Sequence, residues 1–188
     1  PSPFIEDKLR LKLSKTAVDI AKFSNYSGAG TVEFLVDKHN QFYFLEMNTR
    51  LQVEHPVTEL CCGIDLVEAQ VRVAQGELLP WTQEEISNRG HAIEARIYAE
   101  DPERNFMPSP GLIEDLVLPH GPGIRVDCGV AQGFEVPRFY DPMIAKICAW
   151  GQDRQQARRR LLRALEETAV KGIVTNTAFL RCLLSNEQ

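Results

Sequence analysis

Residues 31–48, TVEFLVDKHNQFYFLEMN, hold two runs rich in β-branched and aromatic residues. The first run is Thr31–Asp37, the second is Phe42–Asn48, and the polar segment Lys38–Gln41 separates them. Such runs favour β-strands, and a short polar connection between two strands favours an antiparallel hairpin. Because side chains alternate between the faces of a strand, the hairpin register decides which charged residues meet.

Two glutamates meet in the register that we predict. A loop of two or four residues centred on His39 and Asn40 places Glu33 directly opposite Glu46. Like charges at opposed strand positions are destabilising, whereas a divalent cation between them turns repulsion into ligation. These carboxylates, with Asn48 on the same face, form a ligand set of oxygen atoms only. Such a set suits Mg²⁺ or Mn²⁺ better than it suits zinc, and the ion would also hold substrate phosphates. A three-residue loop would break the pairing, and solvated surface glutamates are the alternative interpretation.

The segment after the hairpin carries polar residues at every second position. If it is extended, Arg50, Gln52 and Glu54 point the same way. A partly buried glutamate beside an arginine is typical of a site that binds a small anion and removes a proton from it. A salt-bridged sheet surface is the alternative. His55 precedes Pro56, where a hydrogen-bonded structural histidine is the more common case.

Apolar residues at helical spacing predict four helices around the hairpin. They run from Ser2-Pro3 to about Ser24, from Leu66 to Gln75 behind an Asp65/Glu68 cap, from Asp153 to a stop at Gly172, and from about Asn176 to Leu184. The third of these helices should turn Leu161, Leu162, Leu165 and Ala169 inward.

The second half of the chain is richer in predicted strands. These are His91–Glu100, Leu112–Leu118, Ile124–Val130 and Met143–Trp150. Polar Leu79–Asn88 lacks periodicity and marks a boundary, so we expect an α+β protein with domains at 1–88 and 89–188. On the wet face of the first of these strands, Arg96 lies between Glu94 and Tyr98, where it could bind an anion or pair with its neighbours.

Composition excludes several classes of function. The 188 residues are 44% hydrophobic and 25% charged, which is close to the average for soluble enzymes. The formal net charge of -5 gives no long-range attraction for nucleic acid. No stretch approaches the ~18 apolar residues that a membrane-spanning helix needs. We therefore expect a soluble protein without a nucleic-acid or membrane partner.

Five cysteines form an odd set without C-x-x-C spacing. In apolar surroundings this favours reduced thiols, and hence a cytoplasmic protein or, in a eukaryote, one of the mitochondrial matrix. The chain opens Pro-Ser-Pro, without a leader pattern, and we expect it to be a piece of something longer.

Four stretches resemble biotin carboxylases, which are members of the ATP-grasp superfamily. They are EMNTRLQVEHPVTE at 46–59, GAGTVEF at 28–34, RGHAIEARIYAEDP at 89–102 and YDPMIAK at 140–146. The resemblance covers the whole chain. It implies that residues 1–88 are the C-terminal half of an ATP-grasp fold, an antiparallel sheet with helices. Residues 89–188 would be the small mixed β-sheet and helix domain that ends a biotin carboxylase.

The resemblance also implies roles for individual residues. The metal ligands would be Glu33, Glu46 and Asn48. Bicarbonate would be bound by Arg50, Gln52 and the backbone of Val53, and adenine would contact Leu35 and Leu45. The catalytic residues would be Glu54, Arg96 and Arg50. Glu54 would act as the general base on bicarbonate, and Arg96 would stabilise the enolate of the biotin ureido group. The implied cofactors are ATP, Mg²⁺ or Mn²⁺, and biotin on a carrier.

Partners follow from the same resemblance. They are the upstream half of the biotin carboxylase domain, a biotin carboxyl carrier protein, a carboxyltransferase and a second copy bound through the C-terminal domain. The upstream half holds the glycine-rich lid and the lysines for ATP, so we expect this piece alone to be inactive. A different ATP-grasp ligase and a non-catalytic structural or oligomerisation fragment are the alternatives. The acyl acceptor is open among acetyl-CoA, propionyl-CoA, methylcrotonyl-CoA, pyruvate and urea.

Overall fold

Helices and small antiparallel sheets alternate along the chain in a computed structural model that describes residues 2–186. This confirms the predicted α+β class. The residues form two compact units. One comprises the chain up to His55 together with Ile64–Ile86, and the other comprises Pro56–Gly63 together with the chain from Ser87 onward. The predicted domain limits stay a prediction, and their outer ends at Pro1 and Gln188 lie outside the described residues.

The regular elements are short. The helices are α1 (Asp7–Phe23), α2 (His55–Cys62), α3 (Leu66–Ala74), α4 (Arg154–Glu167) and α5 (Thr177–Ser185). The strands are β1 (Thr31–Val36), β2 (Phe42–Asn48), β3 (His91–Tyr98), β4 (Glu100–Asp101), β5 (Met107–Pro108), β6 (Gly111–Leu112), β7 (Asp115–Val117), β8 (Ile124–Cys128), β9 (Glu135–Val136), β10 (Met143–Gly151) and β11 (Ala169–Lys171). Within residues 2–186, none of the helices is long and apolar enough to span a membrane.

The first helix begins later than its sequence predicted. We expected a start at Ser2-Pro3, but α1 begins at Asp7 behind Glu6, which caps it without a side-chain hydrogen bond. Ser2 Oγ instead accepts a hydrogen bond from the backbone N–H of Phe4 at 3.3 Å. Such local side-chain bonds give the backbone an alternative to the helix and delay its start.

The loop of the β1–β2 hairpin holds three residues between its closing pair. Asp37 N–H donates to the carbonyl of Gln41 at 2.9 Å, and Asp37 Oδ1 accepts from the backbone N–H groups of His39 at 2.8 Å and Gln41 at 2.9 Å. Asn40 takes a left-handed conformation at φ 59°. Asparagine tolerates that region better than most residues. The prediction of a two- or four-residue loop is therefore wrong.

A bulge in β2 nevertheless restores the register that matters. Next to the loop Val36 pairs with Phe42, and Phe34 pairs with Phe44, one residue away from the predicted register. The register then shifts at Glu33, which pairs with Glu46. A β-bulge inserts an extra residue into one strand and offsets everything beyond it by one position. The predicted meeting of the two glutamates is confirmed, although the loop that was thought to set it differs.

The second unit is built on a three-stranded sheet in the order β3-β10-β8. One face of the sheet packs on α4, and Ile97, Ile147, Leu161 and Leu165 are almost completely buried there. Period-two apolar residues in the strands and a helical apolar stripe in α4 produce this two-layer core. The predicted cap of α4 is confirmed, because Asp153 Oδ1 accepts from the N–H of Gln156 at 2.7 Å.

The end of α4 corrects another prediction. The helix ends at Glu167, and Ala169 lies exposed in β11, which pairs with β7. Backbone hydrogen bonds of the strand pair replace those of another helical turn. Gly172 follows at φ 95°, where a Cβ atom would lie 2.1 Å from the carbonyl oxygen of Leu112. Only glycine fits such a close approach of two backbones.

We predict that Leu161→Ala lowers the apparent free energy of unfolding by about 2–5 kcal/mol, as is typical when a fully buried leucine is truncated. Leu183→Ala is the matched control, since Leu183 is an exposed leucine in the same unit. It should change stability by less than about 0.5 kcal/mol. Urea unfolding followed by circular dichroism measures both, and equal effects would contradict the assignment of the core.

Candidate functional site

An amide joins the two opposed carboxylates of the hairpin. Asn48 Nδ2 donates to Glu33 Oε1 at 2.9 Å and to Glu46 Oε1 at 3.2 Å. Thr31, directly opposite Asn48, begins β1, so the three polar side chains lie at the open end of the hairpin. Charge-assisted hydrogen bonds from one donor group hold both carboxylates in convergent positions against their mutual repulsion.

Two further predicted residues join this cluster. Gln52 Nε2 donates to Glu33 Oε1 at 3.2 Å, and Arg50 donates from one terminal nitrogen to Asn48 Oδ1 at 3.5 Å. Its other terminal nitrogen donates to the carbonyl of Leu51 at 3.2 Å. A guanidinium thus lies beside two carboxylates, and the cluster combines groups that bind a cation with groups that bind an anion.

The segment that carries these residues is not extended, and the prediction of a period-two row of side chains is wrong. Arg50 lies in a bend, and Val53 and Glu54 form a turn that leads into α2. His55 N–H donates to the carbonyl of Gln52 at 3.2 Å. Proline is favoured in the first turn of a helix, and Pro56 stands there in α2, a helix that the sequence patterns did not predict. Glu54 is exposed rather than partly buried.

The donor set of the cluster fits a hard divalent cation. Carboxylate and amide oxygens are typical Mg²⁺ ligands, and Mg²⁺ usually fills its remaining positions with water and substrate phosphates. Here the two carboxylates converge, whereas Asn48 turns its Nδ2 to them and its Oδ1 to Arg50, so the amide would have to turn over to add its oxygen as a ligand. Residues 2–186 contain no group of three or more His, Cys, Asp or Glu side chains placed to hold a metal. The ligands present therefore suit a cation that arrives with a phosphate ligand, and they do not suit a closed structural zinc site.

Apolar side chains are exposed on the same hairpin. Leu35 is 58% and Leu45 51% accessible, and Tyr43 and Phe44 are exposed beside them. Several exposed apolar side chains close together in the chain are a common mark of a binding site or of contact with another part of a protein. The predicted contact of Leu35 and Leu45 with adenine stays a prediction.

Arg96 belongs to a charged face of the second unit's sheet. This charged sheet face, opposite the α4 core, consists of Glu94 and Arg96 of β3, Lys146 and Cys148 of β10, and Arg125 and Asp127 of β8. Charges of opposite sign alternate along β3 and along β8, whereas Arg96 and Lys146 are opposed like charges. Glu94 Oε1 lies 3.4 Å from Arg96 Nε, and Lys146 Nζ lies 3.3 Å from Asp127 Oδ2. Alternation of sign stabilises each charge through its neighbours.

Helix α2 is tied to the charged sheet face by an ion pair. Arg125 donates to Glu59, whose side chain is only 7% exposed, and it donates two further bonds to Asp127 at 2.8 and 3.0 Å. The hydrogen bond with Asp127, followed by that with Glu59, raises the pKa of the Arg125 guanidinium. Burial opposes ionisation of Asp127, but bonds from Arg125 and Lys146 prevail and lower its pKa. Sequence reasoning missed this network, although the alternating charges of β8 were a signal.

Two family models together match most of the chain. Residues 1–82 match the carbamoyl-phosphate synthase L chain ATP-binding domain, and residues 94–188 match the biotin carboxylase C-terminal domain.

Relatives align along nearly the whole chain. A biotin carboxylase of Nostoc sp. is 50% identical over 188 residues, which are 100% of this chain and 42% of that protein. The mitochondrial methylcrotonoyl-CoA carboxylase subunit alpha of Rattus norvegicus is 53% identical over 96% of this chain and 25% of its own length. The chain thus spans 42% of the first relative's length and 25% of the second's.

A solved structure agrees with the fold. The biotin carboxylase domain dimer of the Hydrogenobacter thermophilus 2-oxoglutarate carboxylase, in complex with MgADP, ADP and bicarbonate, has a TM-score of 0.95 and 41% identity. The alignment covers 100% of this chain and 41% of that one. It confirms the predicted C-terminal half of an ATP-grasp fold followed by a small mixed domain.

We predict a pH-dependent stability difference between the wild type and Asp127→Asn. The pKa of Asp127 is lowered in the folded protein, so its ionised form stabilises the fold above its unfolded-state pKa of about 3.9. That stabilisation disappears as the pH falls through the lower, folded-state pKa. The difference in the free energy of unfolding should be constant from about pH 7 to about pH 5 and shrink below about pH 4.

Asp115→Asn is the matched control. Lys171 lowers the pKa of Asp115 too, but that pair is largely exposed and weak. Urea unfolding across the pH range should show a smaller difference for Asp115→Asn throughout. A pH-independent difference for Asp127→Asn would refute the role of its ionised form.

Proposed function

This chain belongs to the biotin carboxylase family, and we propose that it supplies the metal-binding and catalytic residues of a biotin carboxylase active site. The reaction joins bicarbonate to biotin on a carrier protein at the expense of ATP, with carboxyphosphate as the intermediate, and the product feeds a carboxyltransferase. The observation that carries the proposal is the cluster in which Asn48 joins Glu33 and Glu46 beside Arg50 and Gln52.

In the first step bicarbonate reacts with ATP. Glu33, Glu46 and Asn48 would hold Mg²⁺, or Mn²⁺ in its place, and the ion would neutralise charge on the phosphates of ATP. Bicarbonate is held by Arg50, Gln52 and the backbone of Val53. Glu54 accepts the proton of bicarbonate while a bicarbonate oxygen bonds to the γ-phosphorus and the bond to ADP breaks. Exposed Glu54 suits this role because a base must reach its substrate.

In the second step the carboxyl carbon passes to biotin. A ureido nitrogen bonds to that carbon as its bond to the phosphate oxygen breaks, and the departing phosphate takes the proton that the ureido N–H gives up. The guanidinium of Arg96 stabilises the enolate oxygen of the ureido group, because a fixed positive charge acts best where negative charge develops.

The proposal also covers the adenine contacts, the partner proteins and the location in the cell. Adenine would pack on Leu35 and Leu45, whose exposed side chains offer an apolar surface. The upstream half of the domain, a biotin carrier and a carboxyltransferase are the proposed partners, as is a second copy bound through the C-terminal domain. The solved relative that was crystallised as a dimer with MgADP and bicarbonate supports the dimer, Mg²⁺ and bicarbonate. A cytoplasmic or mitochondrial-matrix location is part of the proposal, and five free cysteines accord with it.

The alternative of a non-catalytic fragment applies to this chain alone. Because it spans 42% of the Nostoc biotin carboxylase, positioning of ATP and biotin needs the remaining length. We propose that activity appears only when the full-length protein is present. The acyl acceptor is set elsewhere, and the family leaves it open.

We predict that Glu54→Gln in the full-length protein lowers bicarbonate- and biotin-dependent ATP turnover by ~10²-fold or more, because a general base is removed. Arg96→Ala should lower the kcat for carboxylation of free biotin by ~10²-fold, as loss of a charge-stabilising donor does. Glu84→Gln and Arg163→Ala, at exposed positions, are the matched controls. ATP hydrolysis and ¹⁴C-carboxybiotin formation measure the effects, and survival of both activities in both variants would overturn the proposal.

We predict that Glu33→Gln and Glu46→Gln each raise the Mg²⁺ concentration for half-maximal ATP turnover by at least about tenfold, since loss of a supporting residue alone weakens metal sites by that factor. Glu84→Gln is again the control. Saturating Mg²⁺ should recover part of the turnover of Glu33→Gln and Glu46→Gln. An unchanged Mg²⁺ dependence in both would exclude these carboxylates as ligands.

A further inference from the structure

We infer that Glu94 is a positioning residue for Arg96, and that the buried thiol of Cys148 holds Glu94 in place. The inference rests on the proposed function, which gives Arg96 its role in the carboxylation of biotin. Neither Glu94 nor Cys148 has a part in that proposal, yet both lie on the charged sheet face next to Arg96.

The contrast in burial between the two charged residues is the first observation. The side chain of Glu94 is 6% exposed, whereas that of Arg96 is 38% exposed. Both project from the same face of β3, two residues apart, and Glu94 Oε1 lies 3.4 Å from Arg96 Nε. A half-exposed guanidinium is thus attached through its inner nitrogen to a buried carboxylate. Contact at Nε restricts rotation of the whole guanidinium plane, which is what orientation of a charge towards a reacting group requires.

Burial of the Glu94 carboxylate needs compensation. A buried carboxylate is costly unless hydrogen bonds and opposite charges surround it. Burial raises the pKa of Glu94, and Cys148, Lys146 and Arg96 act in the opposite direction. Apolar residues at this position of β3 would avoid the cost altogether. A function for the carboxylate therefore explains its presence better than stability does.

Cys148 supplies the second attachment. It lies directly opposite Glu94 in the β3–β10 register, is completely buried, and its Sγ donates to Glu94 Oε2 at 3.4 Å. Burial, followed by the charge of Glu94, raises the pKa of the Cys148 thiol, so the sulfur keeps the proton that it donates. One carboxylate oxygen thus contacts Arg96 and the other contacts a fixed donor in the sheet. Two attachments define the direction of a carboxylate, whereas one leaves it free to rotate.

Lys146 explains why Arg96 needs such an attachment. The two residues are paired across β10 and β3, which places two positive charges at opposed positions. Opposed like charges repel. Asp127 offsets Lys146 at 3.3 Å, and Glu94 offsets Arg96 at 3.4 Å. Loss of the Glu94 charge would leave Arg96 repelled by Lys146 and shift the guanidinium from its position.

The test is a double-mutant cycle in the full-length protein, with carboxylation of free biotin as the reaction. Glu94→Gln, which keeps the size of the side chain, should lower kcat by about tenfold or more, the usual effect of losing an orienting partner. The KM values for ATP and bicarbonate should not change, because Arg96 acts after both have reacted. Added to Arg96→Ala, Glu94→Gln should cause no further loss, since a residue that acts through another is non-additive with it.

Two further comparisons separate positioning from folding. Cys148→Ser keeps a donor opposite Glu94 and should retain more of the kcat than Cys148→Ala, which removes it. Glu135→Gln, an exposed glutamate in the same unit, is the control for the amide substitution. If Glu94→Gln does not fold, the ratio of the two Cys148 variants decides the question.

The outcomes distinguish this inference from the function on which it rests. If Arg96→Ala leaves biotin carboxylation unchanged, the proposed role of Arg96 is wrong. If Arg96→Ala lowers kcat while Glu94→Gln leaves it unchanged, only the positioning role fails. Full additivity of the two substitutions, or equal kcat for Cys148→Ser and Cys148→Ala, also overturns it.

Discussion

Two carboxylates face each other across the hairpin. The hydrogen bonds that offset their repulsion determine how the polar side chains at the open end of the hairpin are arranged. Glu33 and Glu46 occupy opposed positions, and the amide of Asn48 donates to both. Gln52 adds a third bond to Glu33. All these donors are neutral, so they hold the carboxylates together without cancelling their charge. The negative charge of the pair therefore stays available to a cation, with the guanidinium of Arg50 on the far side of the Asn48 amide.

The sheet of the second unit has one apolar face and one charged face, and several of its charges are partly buried. The apolar face lies on the side of α4, so a single strand such as β10 contributes Ile147 to the core and Lys146 to the charged face. Within the charged sheet face each cation lies beside an anion. These pairs stabilise partly buried charges, and Arg96, Arg125 and Asp127 each keep about a third of the side-chain surface exposed to solvent.

Sequence patterns predicted the α+β class and most of the long helices and strands. They also predicted that Glu33 lies opposite Glu46, but the loop length on which that prediction rested was wrong. The patterns could not distinguish a three-residue loop with a bulge from an even loop without one, since the two errors compensate at Glu33. Composition likewise gave no sign that Arg50 to Glu54 would bend. That outcome depends on Pro56 and on the start of α2, an eight-residue helix too short for a periodic signal. Ala169 was misplaced because a strand partner outweighed helical spacing.

The exposed apolar residues of the hairpin bear on what the proposed metal site needs from the rest of a longer protein. Leu35, Tyr43, Phe44 and Leu45 leave a large part of their surface uncovered, although burial stabilises apolar surface by roughly 25 cal/mol per Å². A sequence that keeps such residues on a hairpin next to its carboxylate pair gains that stabilisation only when something else covers them. The further length of its relatives, which this chain does not span, or the base of a nucleotide would do so under the proposed function. Coverage of the hairpin and completion of the proposed metal site would then be one event, because β1 and β2 carry both the apolar side chains and the two carboxylates.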